Sequence, residues 1–404
     1  MGELLLLGYL ASLVRWSAGM SSQHVGEVID RILPAIHGYT IGVRVGEGVL
    51  EFNFVDRELE VRRLLDPGEG VIVGGWVTVL YGPKGCGKTE LFRALSSTVA
   101  SLSDVDVDIV IVGSEREAWR VERLYAPRSL AEVARGVIES LGGSIEVQDG
   151  GSWEVKGFVP LDKLVSLLAG YIAYRLGRRR NAIIVVDEVR ADSPDRLSEF
   201  RGWLEGYSNQ LRYDDHRFWR DKGGSIAVVA LTSDAMVKEV RSRVGPKVNW
   251  AHMWNLNPES LGELARRLNI DVDVNTLWRL AGGNPRALVR IKVDGLKKWV
   301  EEEVLAVVQE LLDEARRELG ERLWDELRVA VENVDEADYS LKQLMLKHNI
   351  ILYTTGYKVS ELPRERWVGE RYAYQIPAYY HALKLIVEKA NAKVTVEELL
   401  EATR

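Results

Sequence analysis

Gly82-Pro83-Lys84-Gly85-Cys86-Gly87-Lys88-Thr89 combines glycines, a lysine and a hydroxyl at the spacing G-x-x-x-x-G-K-[ST]. Glycines at these places let successive backbone N–H groups turn inward toward phosphate oxygens, where side chains would obstruct them. Lys88 can reach the β- and γ-phosphates of a nucleotide, and the Thr89 hydroxyl can ligate Mg²⁺. The nucleotide-binding set is therefore Gly82, Pro83, Lys84, Gly85, Cys86, Gly87, Lys88, Thr89 and Glu90. The flanks agree, with residues 75–81 reading as a buried strand into the loop and 89–95 as a helix out of it. That helix sets the positive end of its dipole beneath the same anion. The expected ligands are a nucleotide and Mg²⁺.

Asp187 and Glu188 close the apolar run Ile183-Ile184-Val185-Val186, which places the pair at the end of a buried strand. Asp187 can hold Mg²⁺ there, directly or through water, opposite Thr89. Glu188 can orient and polarise an attacking water as a general base. The same dipeptide could instead begin the next helix. Thr232-Ser233-Asp234 follows another strand. A hydroxyl here could meet the γ-phosphate or its water, or simply cap the following helix. Arg241 and Arg243 lie late in that helix, and Arg286 lies in the turn Gly282-Gly283-Asn284-Pro285-Arg286. Guanidinium groups neutralise charge developing on a transferring phosphoryl, although arginine on a helix is also ordinary solvated surface. Arg178-Arg179-Arg180, at the amino end of a strand, reads as a solvated loop. Trp250 and Trp254 suit a helix face or a strand.

The rest of the chain must position these groups. Its 404 residues exceed what one small core organises, so two or three domains are expected. A net charge of −7 gives no global field toward nucleic acid or anionic lipid, which leaves only local basic patches. Cys86 is the single cysteine, so an intrachain disulfide and a four-cysteine zinc site are both impossible. The six histidines show no H-E-x-x-H spacing. A reducing, cytoplasmic setting fits best. The apolar run at residues 4–14 falls short of the roughly 18 residues a membrane span needs. It reads as a packing helix, or as sequence preceding a true start at Met20.

In order, the pattern gives a helix around Val25 to Ile36 and a hairpin from Tyr39 to Phe54. The loop-bearing strand follows, then a strand at 107–112 and helices at about 128–141 and 160–176 around a turn-rich insert from Gly142 to Gly157. Strands at 181–188 and 225–231 bracket a helix at about 194–211. Strands alternating with helices imply α/β architecture, a parallel sheet covered by helices on both faces. Such sheets bind ligands beyond the carboxyl ends of their strands, where the loop, Asp187-Glu188 and Thr232-Ser233 all fall. From Pro258 the pattern is helical, with a long amphipathic stretch from Leu296 to about Val331. A helix at Ser340–His348, strands at 349–353 and 371–376 and a helix from Pro377 outline a winged-helix-like module. The expected divisions are an amino-terminal extension (1–50), a P-loop core (51–256), a helical lid (257–295) and the carboxy-terminal module (296–404).

Three features resemble the archaeal ATPase family of P-loop NTPases, relatives of the AAA+ proteins and the STAND signal-transduction ATPases. They are Phe54-Val55-Asp56-Arg57-Glu58-x-Glu60 before the loop, Gly82–Thr89 with Asp187-Glu188, and Gly282-Gly283-Asn284-Pro285-Arg286-Ala287-Leu288. The resemblance implies that Phe54 to Arg57 lie near adenine and that Pro285 packs by the base. It implies that Arg286 is a second sensor, Thr232 or Ser233 a first sensor, and Arg243 an arginine finger reaching a neighbouring copy. The residues before 50 match nothing in the family, and no nuclease-like carboxy-terminal domain is visible.

The expected activity is hydrolysis of ATP to ADP and phosphate, by a nucleotide-driven switch or remodeller acting on a protein partner. The alternative is an ATP-dependent DNA-binding protein resembling archaeal replication initiators. Its candidate recognition helix, Asp338 to His348, is only mildly basic, and groove binding needs phosphate contacts from Lys or Arg.

Overall fold

The computed structural model describes residues 22–66, 70–102, 105, 107–113, 120–126, 128–147, 152–176, 181–187, 189, 194–214, 225–233, 237–244, 246 and 248–403. The apolar run at 4–14, both candidate starts, Arg178-Arg179-Arg180, Glu188 and Asp234 lie outside the described residues.

Thirteen strands are described. β3 (Val77–Tyr81), β8 (Asn181–Asp187) and β9 (Ser225–Thr232) are buried along their whole length. Near-continuous apolar sequence is what a strand covered on both faces requires. Within them the two-residue period still sorts side chains. Val77 and Val79 join one core with Ile184 and Val186, while Leu80 joins the opposite core with Ile183 and Val185. The sheet has nine described strands, in the order β12 (Tyr357–Lys358), β10 (Val248–His252), β3, β9, β8, β4 (Val107–Gly113), β5 (Arg123–Tyr125), β7 (Ser152–Lys156) and β6 (Ser144–Val147). From β12 to β4 neighbours run parallel, and β5, β7 and β6 extend it antiparallel. The insert at 142–157 therefore supplies a hairpin to the sheet; its sequence alternates too briefly to announce strands.

Helices Lys88–Ser101 and Pro194–Asp214 cover opposite faces, with Phe92 in one core and Phe200 in the other. Helix Ser22–Ile36 buries Val28, Ile29 and Ile32 in the same core as Phe92. The described part of the amino-terminal extension is thus built into the body of the sheet domain. The hairpin of β1 (Thr40–Val45) and β2 (Gly48–Asn53) follows it.

A third core unites the three helices after residue 257 with the carboxy-terminal module, running from Phe52 and Val55 through Leu261 and Leu277 to Leu383. The amphipathic stretch after Leu296 is not one helix. It passes through a π-helical turn at Val300–Leu305 and breaks at Gly320, whose φ of 57° carries the chain into helix Leu323–Glu332. Helix Tyr339–Lys347 and the antiparallel pair β11 (Ile351–Tyr353) and β13 (Tyr372–Tyr374) give the winged-helix-like outline. Between them the chain leaves its module. β12 (Tyr357–Lys358) lies parallel to β10 (Val248–His252) as the edge strand of the large sheet. Trp250 and Trp254 therefore sit on or just beyond a strand. Among the described residues no helix is long and apolar enough to cross a membrane.

Candidate nucleotide site

β3 ends at Tyr81 beside Thr232 of β9, and Asp187 ends β8 one strand further on, so three carboxyl ends share one edge. The loop from Gly82 to Gly87 turns back over that edge with Gly85 at φ 84° and Gly87 at φ 97°, where a side chain would be strained. A Cβ on Gly85 would lie 2.4 Å from the Cβ of Arg286, so the loop is also closely covered. Lys88 opens helix Lys88–Ser101 and is buried. Its Nζ donates to Gly82 O at 3.0 Å, to Pro83 O at 3.2 Å and to Cys86 Sγ at 3.6 Å. All three acceptors are neutral, so among the described residues no carboxylate pairs with the ammonium, which stays attractive to an anion. Thr89 Oγ1 donates to Asp187 Oδ1 at 2.8 Å. Two oxygens proposed for Mg²⁺ thus meet across 98 residues of sequence. A hydroxyl beside a carboxylate is the hard-oxygen donor set this cation takes.

These groups line one cleft of about 730 Å³, a size suited to a small-molecule ligand. One end is apolar, formed by Ile41 and Val43 of the hairpin, Phe54, Leu256, Leu264 and Pro285. The other end carries the loop, Asp187, Thr232 and Ser233. Among the described residues seven basic side chains line it (Arg57, Lys84, Lys88, Arg93, Arg123, Arg286 and Arg290) with the carboxylates of Glu90 and Asp187. Three of the seven are paired: Arg57 with Glu60, Arg93 with Glu90, and Arg290 with Asp294 and Glu303. Burial opposes the charge on Arg93, but Glu90 and Asp187 outweigh it and hold that guanidinium above its ordinary pKa.

The candidate residues divide sharply by what they do in the structure. Phe54 and Pro285 line the apolar end. Arg57 also lines the cleft, yet its guanidinium is committed elsewhere. It donates to Glu60 at 2.6 Å, to Trp254 O at 3.0 Å and to Cys86 O at 2.5 Å, with the residue 3% exposed. Asp56 and Arg57 both have positive φ, 56° and 79°, a strained turn held by this network and by Ser260 Oγ donating to Asp56. Glu90 is paired with Arg93 at 2.7 Å. Arg241 does not reach the cleft, for its guanidinium donates to the carbonyl and hydroxyl of Thr355 at 2.6 and 3.0 Å. Arg243 is exposed at the end of helix Val237–Arg243, outside the cleft lining.

Sequence reasoning missed Ile41, Val43, Arg93, Arg123 and three buried amides, Asn255, Asn284 and Gln375. The alternation of the hairpin carried a signal for the first two. Asn284 sits in the quoted glycine turn as the cap of helix Pro285–Asp294, accepting from Ala287 N at 3.1 Å. Nothing near Gln375 in the sequence points to the loop.

Several solved structures are similar in arrangement. The Aeropyrum pernix ORC2 protein in its ADP form is 16% identical, over 83% of this chain and 92% of that one, with a TM-score of 0.35. Cdc6p from Pyrobaculum aerophilum is 15% identical, over 81% and 86%, with a TM-score of 0.32. Drosophila ORC bound to DNA is 16% identical, over 72% and 60%, with a TM-score of 0.30. A stretch of 56 residues is 36% identical to the G-protein coupled receptor-associated protein LMBRD2 of Xenopus laevis; it is 14% of this chain and spans 8% of that protein. Residues 54–291, more than half of the chain, match the family described as an ATPase domain predominantly from Archaea. They include the loop, the Asp187 strand and the glycine turn, and the chain belongs to that family of P-loop ATPases.

Proposed function

We propose that the protein binds ATP with Mg²⁺ in this cleft, hydrolyses it, and uses the cycle to move its lid and carboxy-terminal module against the sheet domain. The observation that carries the reading is the 2.8 Å contact between Thr89 and Asp187 at the mouth of the loop. Bound there, Mg²⁺ would polarise the phosphoryl oxygens and offset charge developing on them. The loop amides and the Lys88 ammonium bind the polyphosphate, and the apolar end receives the base. Glu188, next after Asp187, activates the water. Thr232 or Ser233 contacts the γ-phosphate or that water. Arg286, at the start of the lid helix and against Gly85, senses the phosphate chain from the lid. Arg243, on the surface, can only serve a nucleotide held by a neighbouring copy, so that role requires a homo-oligomer. The protein partner is unidentified, and a cytoplasmic setting suits a loop containing a free thiol.

DNA binding is the second reading, and two observations weigh against it. Lys347 and His348, the basic end of helix Tyr339–Lys347, are both engaged by Glu314, whose carboxyl they hold below its ordinary pKa. The segment carrying Lys358 is paired into the sheet edge. Phosphate release and nucleotide binding test the reading. Lys88→Ala should abolish both, and Glu188→Gln should retain binding while stopping release. Unchanged release by Glu188→Gln would remove the role given to that residue.

A further inference from the structure

The Lys84 backbone in the phosphate loop is gripped by side chains from two separate parts of the chain, which a third side chain links to each other. Its N–H donates to Gln375 Oε1 at 2.9 Å. Its carbonyl accepts from Asn284 Nδ2 at 3.0 Å. The same Asn284 Nδ2 donates to Asn255 Oδ1 at 3.0 Å, and Asn255 Nδ2 donates to the carbonyl of Gln375 at 2.9 Å. The contacts close a ring: Lys84, Gln375, Asn255, Asn284 and back to Lys84. Asn255 follows β10, Asn284 caps the lid helix, and Gln375 follows β13 of the carboxy-terminal module. All three amide residues are at most 4% exposed.

The chemistry fixes the orientation of each amide. A backbone N–H can only donate, so Gln375 must present its oxygen to Lys84. Asn284 spends its oxygen on the cap at Ala287, so its nitrogen must serve both Lys84 and Asn255. Gln375 is held in turn, with its N–H donating to Ile350 O at 2.9 Å. Removing the Gln375 oxygen would take from the part-buried Lys84 N–H the side-chain acceptor that fixes its direction, and an unmade hydrogen bond there carries a cost.

We propose that Gln375 is a positioning residue of the nucleotide site, holding the loop in its phosphate-accepting shape while the carboxy-terminal module is docked. The inference rests on the nucleotide reading above. It makes nucleotide affinity and docking of the module mutually reinforcing, because a coupling free energy acts equally in both directions. The dock has other contacts that do not touch the loop. Lys238 donates to the Tyr372 hydroxyl at 2.7 Å and lies over the rings of Tyr353 and Tyr372.

The test is calorimetric titration of the full chain with ADP and Mg²⁺, for the unaltered protein, Gln375→Met and Lys238→Met. Gln375→Met keeps the volume but removes the acceptor, and should weaken ADP binding about tenfold. Lys238→Met removes one contact that does not touch the loop and leaves the module docked through Gln375 and its shared core with the lid, so its affinity should stay within about twofold. In the unaltered protein, saturating ADP should slow hydrogen exchange of the amides at 351–374, a readout that stands even if Gln375→Met does not fold. Equal affinity in Gln375→Met, an equal loss in both variants, or unchanged exchange at 351–374 would each overturn the proposal. Absence of ADP binding by the unaltered protein would instead overturn the nucleotide reading on which it rests.

Discussion

The phosphate wall of the cleft and the wall that grips its loop are built on different principles. The phosphate wall comes from the loop after β3 and the ends of β8 and β9, all on one sheet edge. Its groups face the cavity, and its shape is set by backbone, with Gly85 and Gly87 at positive φ. The wall that grips the loop draws on the turn at Asp56–Arg57, the segment after β10, the lid and Gln375. Its polar groups are buried and bind one another: Arg57 with Glu60, Glu60 with Ser360, and Ser360 with the Trp254 N–H. The difference teaches that groups available for chemistry can be local and exposed, whereas the groups that place them are buried and distant in sequence.

That contrast can be broken from either side. The largest effect is expected on the phosphate wall, where Lys88→Ala should reduce nucleotide affinity or turnover roughly a thousandfold or more while leaving the melting temperature nearly unchanged. Wild-type turnover in that variant would contradict the division. On the positioning wall the effects should appear as stability. Glu60→Ala strands the buried Arg57 charge, and breaking such a pair by removing one partner costs about 3 kcal/mol. Denaturant unfolding measures it, and a loss under about 1 kcal/mol would show that the pair is dispensable. Gly283→Ala should cost about 2 kcal/mol, because Gly283 has φ 80° and an added Cβ would lie 1.9 Å from Leu256 O. A thermal scan of that variant reads the cost.

The smallest effect concerns pH. His252 is fully buried between Tyr81 and Trp254, and burial first, then Lys88 and Lys358, lowers its pKa from 6.5 to about 3. As pH falls below about 6.5 the unfolded chain takes up a proton that the folded chain refuses, so this residue's contribution to stability declines from there toward pH 3. The slope cannot exceed about 1.4 kcal/mol per pH unit for one proton. His252→Phe should flatten the acid limb of the stability curve; an unchanged limb would assign it to other groups, His381 among them, whose pKa burial lowers to about 4.

How far this could be read in advance follows the same divide. The loop, the ends of β8 and β9, and the hairpin declare themselves because residue type and spacing are local properties. The insert at 142–157 does not, since its strands are only four and five residues long and join the sheet only where β7 pairs with β5, with β6 beyond it on β7. β12 is two residues long and exists as a strand only because β10 offers an unpaired edge. Arg57 reads from the motif as a cleft residue. Its partner Glu60 is only three residues on, but the Ser360 hydroxyl that donates to the same Glu60 oxygen lies 300 residues away. Gln375 is legible only in three dimensions, for its partner Lys84 is 291 residues distant.

Calorimetric titration of the purified, unaltered chain with ATP and Mg²⁺ tests the central claim most directly. A cradle of backbone amides with a lysine that no described carboxylate pairs predicts saturable heat at one site per chain, lost in Lys88→Ala. No heat of association, or the same heat in Lys88→Ala, would contradict it.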